Sequence, residues 1–286
     1  MPRCKIVDTT LRDGEQAPGY AFSPGDKAFL ASLLDQAGVC QIEAGAPIMG
    51  GDEKDGVCAV KDACGAALVS TWNRLTKKDV DASLECRPDI IHICLPVSER
   101  HIVRKLRTTK TALLRRFREV AEYAAEKGGR VTAGFEDASR ADERFLYEAA
   151  ETARRHGVER IRLSDTVGLL RPSSAAALVR ATLEVGLPVE MHAHNDLGMA
   201  LANSASAVLA GAEFIDATLL GIGERAGNCG FGDFVAAFSE FAMISPEAAR
   251  KAEGLARPLL SRRRSDFFCL KGISHDQTAD YRRPCR

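Results

Sequence analysis

His192 and His194 stand two residues apart in the run Pro188-Val-Glu-Met-His-Ala-His-Asn-Asp196. The apolar start of that run reads as a buried strand, and side chains on a strand alternate faces. Two histidines at this spacing project from one face, where two imidazole nitrogens can converge on a divalent ion. Far upstream, Asp8-Thr-Thr-Leu-Arg-Asp-Gly-Glu-Gln16 also follows a strand and offers a carboxylate through Asp13. Asn228, in Gly221-Ile-Gly-Glu-Arg-Ala-Gly-Asn228, can add a neutral amide oxygen. Such a set accepts Mg, Mn, Zn or Fe and leaves the ion electrophilic enough to polarise a carbonyl. The plainer alternative is a pair of strand histidines satisfied by backbone groups, with Asp13 capping a helix.

Arg12 adjoins Asp13, and its planar guanidinium suits a carboxylate or the charge of a developing enolate. Glu136 is expected to orient Arg12. Gln16 and Thr166 can hydrogen-bond a small polar ligand, although a Thr after a strand also serves as a helix cap.

These residues need a scaffold that gathers them. Short apolar runs at 4–7, 39–43, 66–70, 90–95, 131–135, 160–163, 188–192 and 214–217 read as strands. Helical patterns at 24–36, 108–127, 141–156, 172–184 and 199–210 lie between them. Several of these open on Pro after Ser23 or Arg171, and several close on Gly (Gly38, Gly128, Gly157, Gly186, Gly211). Eight strands alternating with helices predict a (β/α)8 barrel over 1–245, with a helical or irregular C-terminal extension at 246–286. No Gly-x-Gly-x-x-Gly or Walker-type loop supports a doubly wound nucleotide-binding sheet instead. In a barrel, active sites form at the C-terminal ends of the strands. Arg12 and Asp13, Glu43, His92, Glu136, Thr166, His192 and His194, and Asn228 then represent seven of the eight strands at one rim.

Composition excludes several classes. The chain has 286 residues, 39 basic and 39 acidic side chains, and a hydrophobic content of 45%. A zero formal charge argues against nucleic acid or an anionic membrane as partner. No apolar run approaches bilayer length, and the start Met-Pro-Arg-Cys lacks a signal-peptide pattern, so a cytoplasmic protein is expected. Nine scattered cysteines without a Cys-x-x-Cys pair fit reduced thiols used as small hydrophobes.

The stretches Asp8–Gln16, Glu136-Asp-Ala-Ser-Arg140, Ser164-Asp-Thr-Val-Gly168, His192-Ala-His-Asn-Asp-Leu-Gly-Met-Ala200 and Gly223–Asn228 together resemble the homocitrate synthase and 2-isopropylmalate synthase family of metal-dependent TIM-barrel enzymes. The segments 17–23 and 136–142 are most similar to the nitrogen-fixation type of homocitrate synthase. The resemblance implies an acyltransferase that condenses acetyl-CoA with a 2-oxo acid, 2-oxoglutarate giving homocitrate. It implies Asp13, His192, His194 and Asn228 as metal ligands and Arg12 with Glu136 as a catalytic pair. It also implies Gln16, Glu43, His92 and Thr166 as substrate contacts. The distal carboxylate of 2-oxoglutarate needs a cation, for which Arg100, Arg104 and Lys105 are candidates.

Family synthases continue into a C-terminal region that lends a His and a Tyr to a neighbouring subunit. This sequence ends at Arg286, so a truncated version of that region is expected, with His275 and Tyr281 as faint echoes. A homodimer or a complementing chain follows as the expected partner. The alternatives are a synthase for another 2-oxo acid (2-isopropylmalate, citramalate or Re-citrate synthase), a metal-dependent lyase or aldolase, and an incomplete barrel. The related lyases carry a reactive Cys before the Asn ligand; here Cys229 follows Asn228, which favours the condensing branch.

Overall fold

In the computed structural model residues 2–261 are described. Eight parallel strands close into a barrel in strict chain order: β1 (Lys5–Asp8), β2 (Gln41–Gly45), β3 (Leu68–Asn73), β4 (Ile90–Pro96), β5 (Val131–Glu136), β6 (Ile161–Asp165), β7 (Val189–Ala193) and β8 (Phe214–Ala217). The register from Lys5 opposite Phe214 to Asp8 opposite Ala217 joins the last strand to the first. Helices α1 (Pro24–Ala37), α2 (Gly51–Ala63), α3 (Lys77–Leu84), α4 (Lys110–Glu126), α5 (Glu143–Arg155), α6 (Pro172–Leu183), α7 (Ala200–Leu209) and α8 (Phe231–Ala237) follow the strands in turn, and α9 (Pro246–Leu260) comes last. Among the described residues no helix is long and apolar enough to cross a membrane.

Local chemistry sets the boundaries. At α1, Ser23 Oγ accepts from Asp26 N at 3.1 Å while Asp26 Oδ2 accepts from Ser23 N at 3.0 Å, with Pro24 in the first turn. The five glycines expected to end helices have φ between 74° and 110°, a left-handed turn that a Cβ would oppose. Strands β2 and β3 begin two residues later than the apolar runs suggest. For β3 the reason is Asp35, whose carboxylate accepts from Gly65, Ala66 and Ala67 N–H at 3.0, 3.0 and 2.5 Å. Those donors are thereby withdrawn from the strand ladder. Helices α4 and α5 likewise start two residues late, because Thr109 and Asp142 are their caps.

Helix α9 falls in the segment assigned to the extension, and it packs on α1 and α8 through buried Ala249, Ala252, Ala256 and Leu260. Its Glu253 Oε1 accepts from Leu220 N and Gly232 N, both at 2.9 Å, which ties α9 to the loop after β8. The rest of the extension from residue 262, with Arg262–Arg264, His275 and Tyr281, lies outside the described residues.

Along β6 and β7 the residues alternate as Ile161-Arg-Leu163 and Val189-Glu-Met-His192. Ile161, Leu163, Val189 and Met191 join the apolar core, whereas Arg162, Glu190 and His192 join a buried polar set. Barrel interiors are commonly filled by branched apolar side chains. This one is ionic.

Candidate metal centre

His192 is on β7 and His194 two residues further, just past the strand end. Their Nε2 atoms are 3.1 Å apart, and both meet Asp13 Oδ2, at 2.8 Å from His192 and 3.1 Å from His194. All three residues are at least 95% buried. Two ligands bound at about 2.0–2.2 Å to one ion stand about 2.8–3.6 Å apart in octahedral or tetrahedral geometry. The three edges therefore fit a single small cation. Asp13, His192 and His194 also form the one such cluster among the described residues.

The surroundings prepare these donors. Asp216 Oδ2 lies 2.8 Å from His192 Nδ1, the carboxylate–histidine arrangement that fixes a ligating ring and frees its Nε2 lone pair. The Thr166 carbonyl lies 3.2 Å from His194 Nδ1. Arg225 Nη2 stands 2.7 Å from that nitrogen, and its guanidinium also grips Asp196 at 2.8 and 3.0 Å. Burial opposes charge on His192, yet hydrogen bonds from Asp13 and Asp216 outweigh it and push the ring up to about 9. Burial also opposes ionisation of Asp13, but Arg12 and the two histidines hold its carboxyl well below the usual range.

Asn228 lies beside His194, joined to it by an isolated backbone bridge. Its Nδ2 donates to Ile222 O at 3.1 Å, and its buried Oδ1 has no hydrogen-bond partner among the described residues. A buried amide oxygen left unpaired beside a nitrogen–carboxylate triangle suits a fourth ligand. The donor set fits the metal implied by the sequence.

Arg12 reaches this centre from the loop after β1, with Nη1 3.8 Å from Asp13 Oδ2. The carboxylate that holds it is Glu43, not the Glu136 expected from the sequence: Arg12 Nε donates to Glu43 Oε1 at 2.5 Å. Strand β2, which carries Glu43, is the neighbour of β1, whereas Glu136 ends β5 on the opposite wall of the barrel. Burial disfavours the Glu43 anion, but Arg12 and Arg162 bring its pKa down to about 2.

Helix α1 supports the same corner through Lys27, which is almost completely buried. Its Nζ donates to Leu11 O at 3.0 Å and Ala44 O at 3.2 Å, the carbonyls preceding Arg12 and following Glu43. Glu53 at 2.6 Å and Glu15 at 2.8 Å balance its charge.

The other expected residues are placed as follows. Thr166 follows β6, where its hydroxyl accepts from Asp137 N at 2.8 Å. Gln16 is exposed and, with Arg12, Ile48, Met49, Trp72 and Arg74, lines a cavity of about 540 Å³. His92 is buried in β4 with Nδ1 2.8 Å from Thr132 Oγ1. Burial and the nearby Arg162 push it down to about 3, so it is neutral. Arg100, Arg104 and Lys105 are exposed on the segment after β4, and none lines the cavity beside Arg12. The cation on that wall is Arg74, gripped by Asp79 at 2.9 and 3.0 Å.

Sequence reasoning missed Arg162, Glu190, Asp216, Arg160 and Lys27. The alternation of charged and apolar residues along β6 and β7 is the signal that could have exposed the first two, because a strand buried on both faces has no ordinary place for charge.

Residues 3–249 match the family model described as HMGL-like. The chain belongs to the HMGL-like family. This HMGL-like chain is 45% identical over 236 residues to homocitrate synthase subunit alpha of Clostridium pasteurianum, covering 82% of this chain and 88% of that protein. It is 44% identical over 233 residues to 2-isopropylmalate synthase 2 of Caldanaerobacter subterraneus subsp. tengcongensis, covering 81% of this chain but 61% of that relative. Hydroxymethylglutaryl-CoA lyase of Pseudomonas aeruginosa superimposes with a TM-score of 0.80 at 21% identity, over 94% of this chain and 98% of that one. At that identity the likeness concerns the fold alone.

Proposed function

We propose that this HMGL-like barrel is an acyltransferase of the homocitrate synthase type, condensing acetyl-CoA with 2-oxoglutarate. The observation that carries the reading is the buried Asp13–His192–His194 triangle with Arg12 beside it, in a chain similar to synthases across its barrel. Asp13, His192, His194 and Asn228 would hold the divalent ion, which when bound polarises a 2-oxo acid carbonyl. Arg12, aimed by Glu43, supplies a fixed cation for negative charge that develops on the substrates. Gln16 and Thr166 stand at the rim as hydrogen-bonding groups, and Trp72, Ile48 and Met49 give the cavity beside Arg12 an apolar wall.

The overall step loses a proton from the acetyl methyl group and forms a carbon–carbon bond to the keto carbon. The keto oxygen takes up a proton and becomes a tertiary hydroxyl, and water then cleaves the thioester, releasing CoA and leaving the third carboxylate of homocitrate.

Free cysteines at all seven described positions support a reducing, cytoplasmic setting. For assembly, we infer either a homodimer or a complementing chain; the name "subunit alpha" of the Clostridium relative supports the second.

The test mixes purified protein, a divalent metal, acetyl-CoA and single 2-oxo acids, and follows free CoA. Release with 2-oxoglutarate is expected. Release with 2-oxoisovalerate or pyruvate instead would reassign the substrate. No release, together with metal-dependent 2-oxoglutarate binding, would point to the complementing chain.

A further inference from the structure

We propose that Arg162 is a positioning residue that keeps the metal ligands and Arg12 in register with each other. Its side chain, carried on β6, is 2% exposed. Nη1 donates to Glu43 Oε2 at 2.6 Å, and the other oxygen of that carboxylate holds Arg12 Nε at 2.5 Å. Nε lies 2.9 Å from Asp216 Oδ2, and the same oxygen stands 2.8 Å from His192 Nδ1. One planar group thus fixes two carboxylates, of which one aims Arg12 and the other aims a ligand ring. The Nε hydrogen bond itself goes to Glu190, which is held in turn by Arg160 Nε at 2.5 Å, so Asp216 and Glu190 share the Nε side of the guanidinium and Glu43 takes Nη1.

Two arguments separate this role from plain stability. Buried ion networks cost desolvation, and well-packed apolar residues usually replace them without loss, as in the interiors of most barrels. The geometry also needs an extended cation: Arg162 meets Glu43 through Nη1 and the Glu190–Asp216 pair through Nε, two separated nitrogens that a point-charge ammonium does not offer. Both centres it steadies face the same ligand in the proposed reaction, where a displacement of about 1 Å can cost on the order of a hundredfold in rate.

The proposal rests on reading the triangle as a metal centre, and one arm of its test needs no catalysis. Arg162→Lys in the full chain keeps the charge and removes the extended guanidinium. Its far-UV circular dichroism should match the wild type, while calorimetry on chelator-treated protein should show Mn2+ affinity about tenfold weaker. At saturating Mn2+, kcat should fall by about tenfold or more, with KM for acetyl-CoA changed by less than about twofold. The double variant Arg162→Met, Glu190→Gln removes the cation with one of its acids and should show the same pair of losses.

A folded Arg162→Lys protein with unchanged Mn2+ affinity overturns the proposal. So does a loss of affinity with kcat intact at saturating metal, which reduces Arg162 to a support for His192 alone. If neither variant folds, Arg162 is a folding residue and the positioning role is wrong. A wild type that binds Mn2+ but neither releases CoA with any 2-oxo acid nor binds 2-oxoglutarate sinks the acyl-transfer reading instead, and Arg162 is then judged on Mn2+ affinity.

Discussion

The His192 ring is fixed at both nitrogens, with Asp216 2.8 Å from Nδ1 and Asp13 2.8 Å from Nε2. His194 has no carboxylate behind it, only the Thr166 carbonyl at 3.2 Å and Arg225 Nη2 at 2.7 Å, and it lies outside the Arg162 network, so its removal disturbs that network least. His194→Ala should retain the circular dichroism spectrum and lose bound metal, measured as metal per chain after dialysis. Undiminished stoichiometry would take His194 out of the site. Glu43→Gln should do the reverse: metal content stays, while kcat falls about tenfold or more as Arg12 loses its ionic partner, read from CoA release at saturating metal. Asp13, His192 and His194 are legible in the sequence because strand alternation and the rim position both converge on them. The holder of Arg12 is not legible. Both acids read as strand-end groups in the sequence, whereas in the structure Glu43 lies within β2 beside β1 and Glu136 ends β5 across the barrel. Arg162 is hidden for a related reason, since Glu43 lies 119 residues away from it in the chain.

Among the elements, α1 does most to place the site, through Lys27 beneath the Arg12 and Glu43 backbones and Asp35 at the entry to β3. Burial opposes the Asp35 anion, but three backbone N–H donors outweigh it and lower its pKa. A lowered folded-state value gives stability that is present above the unfolded carboxyl pKa of about 4 and is lost as pH falls below it. Asp35→Asn should therefore cost about 1 kcal/mol at pH 7, with the gap to wild type closing toward pH 3 in urea titrations. A gap of constant size across that range would deny the anion its role.

Helix α2 packs on α1 where Gly56 meets the Lys27 stem; a Cβ there would stand 2.9 Å from Lys27 Cδ. Gly56→Ala, although it favours helix, should destabilise by about 1–3 kcal/mol, read from the urea midpoint. Helix α2 escapes a sequence reading because Gly51 and Gly56 interrupt its pattern and only Gly56, Val57 and Val60 are buried. The strands are easier: short apolar runs mark all eight, five of them preceded by helix-ending glycines, with ends blurred where a cap such as Asp35 claims the first donors.

At the level of the whole molecule, the barrel gathers groups from distant stretches of sequence at one end and fills its axis with charge. Alternating strands and helices predict the closed barrel, and the family model spans its full length. Periodicity marks the charged positions of β6 and β7 but not their partners, because pairing across a closed barrel is a property of its circumference and not of any single strand.

The central claim is that this rim holds a divalent ion that receives a 2-oxo acid. Calorimetric titration of 2-oxoglutarate into chelator-treated full chain, with and without Mn2+, tests it directly. One binding site per chain is expected, appearing only with the metal and disappearing in His194→Ala. Equal 2-oxoglutarate binding without metal, or binding that survives in His194→Ala, would contradict it.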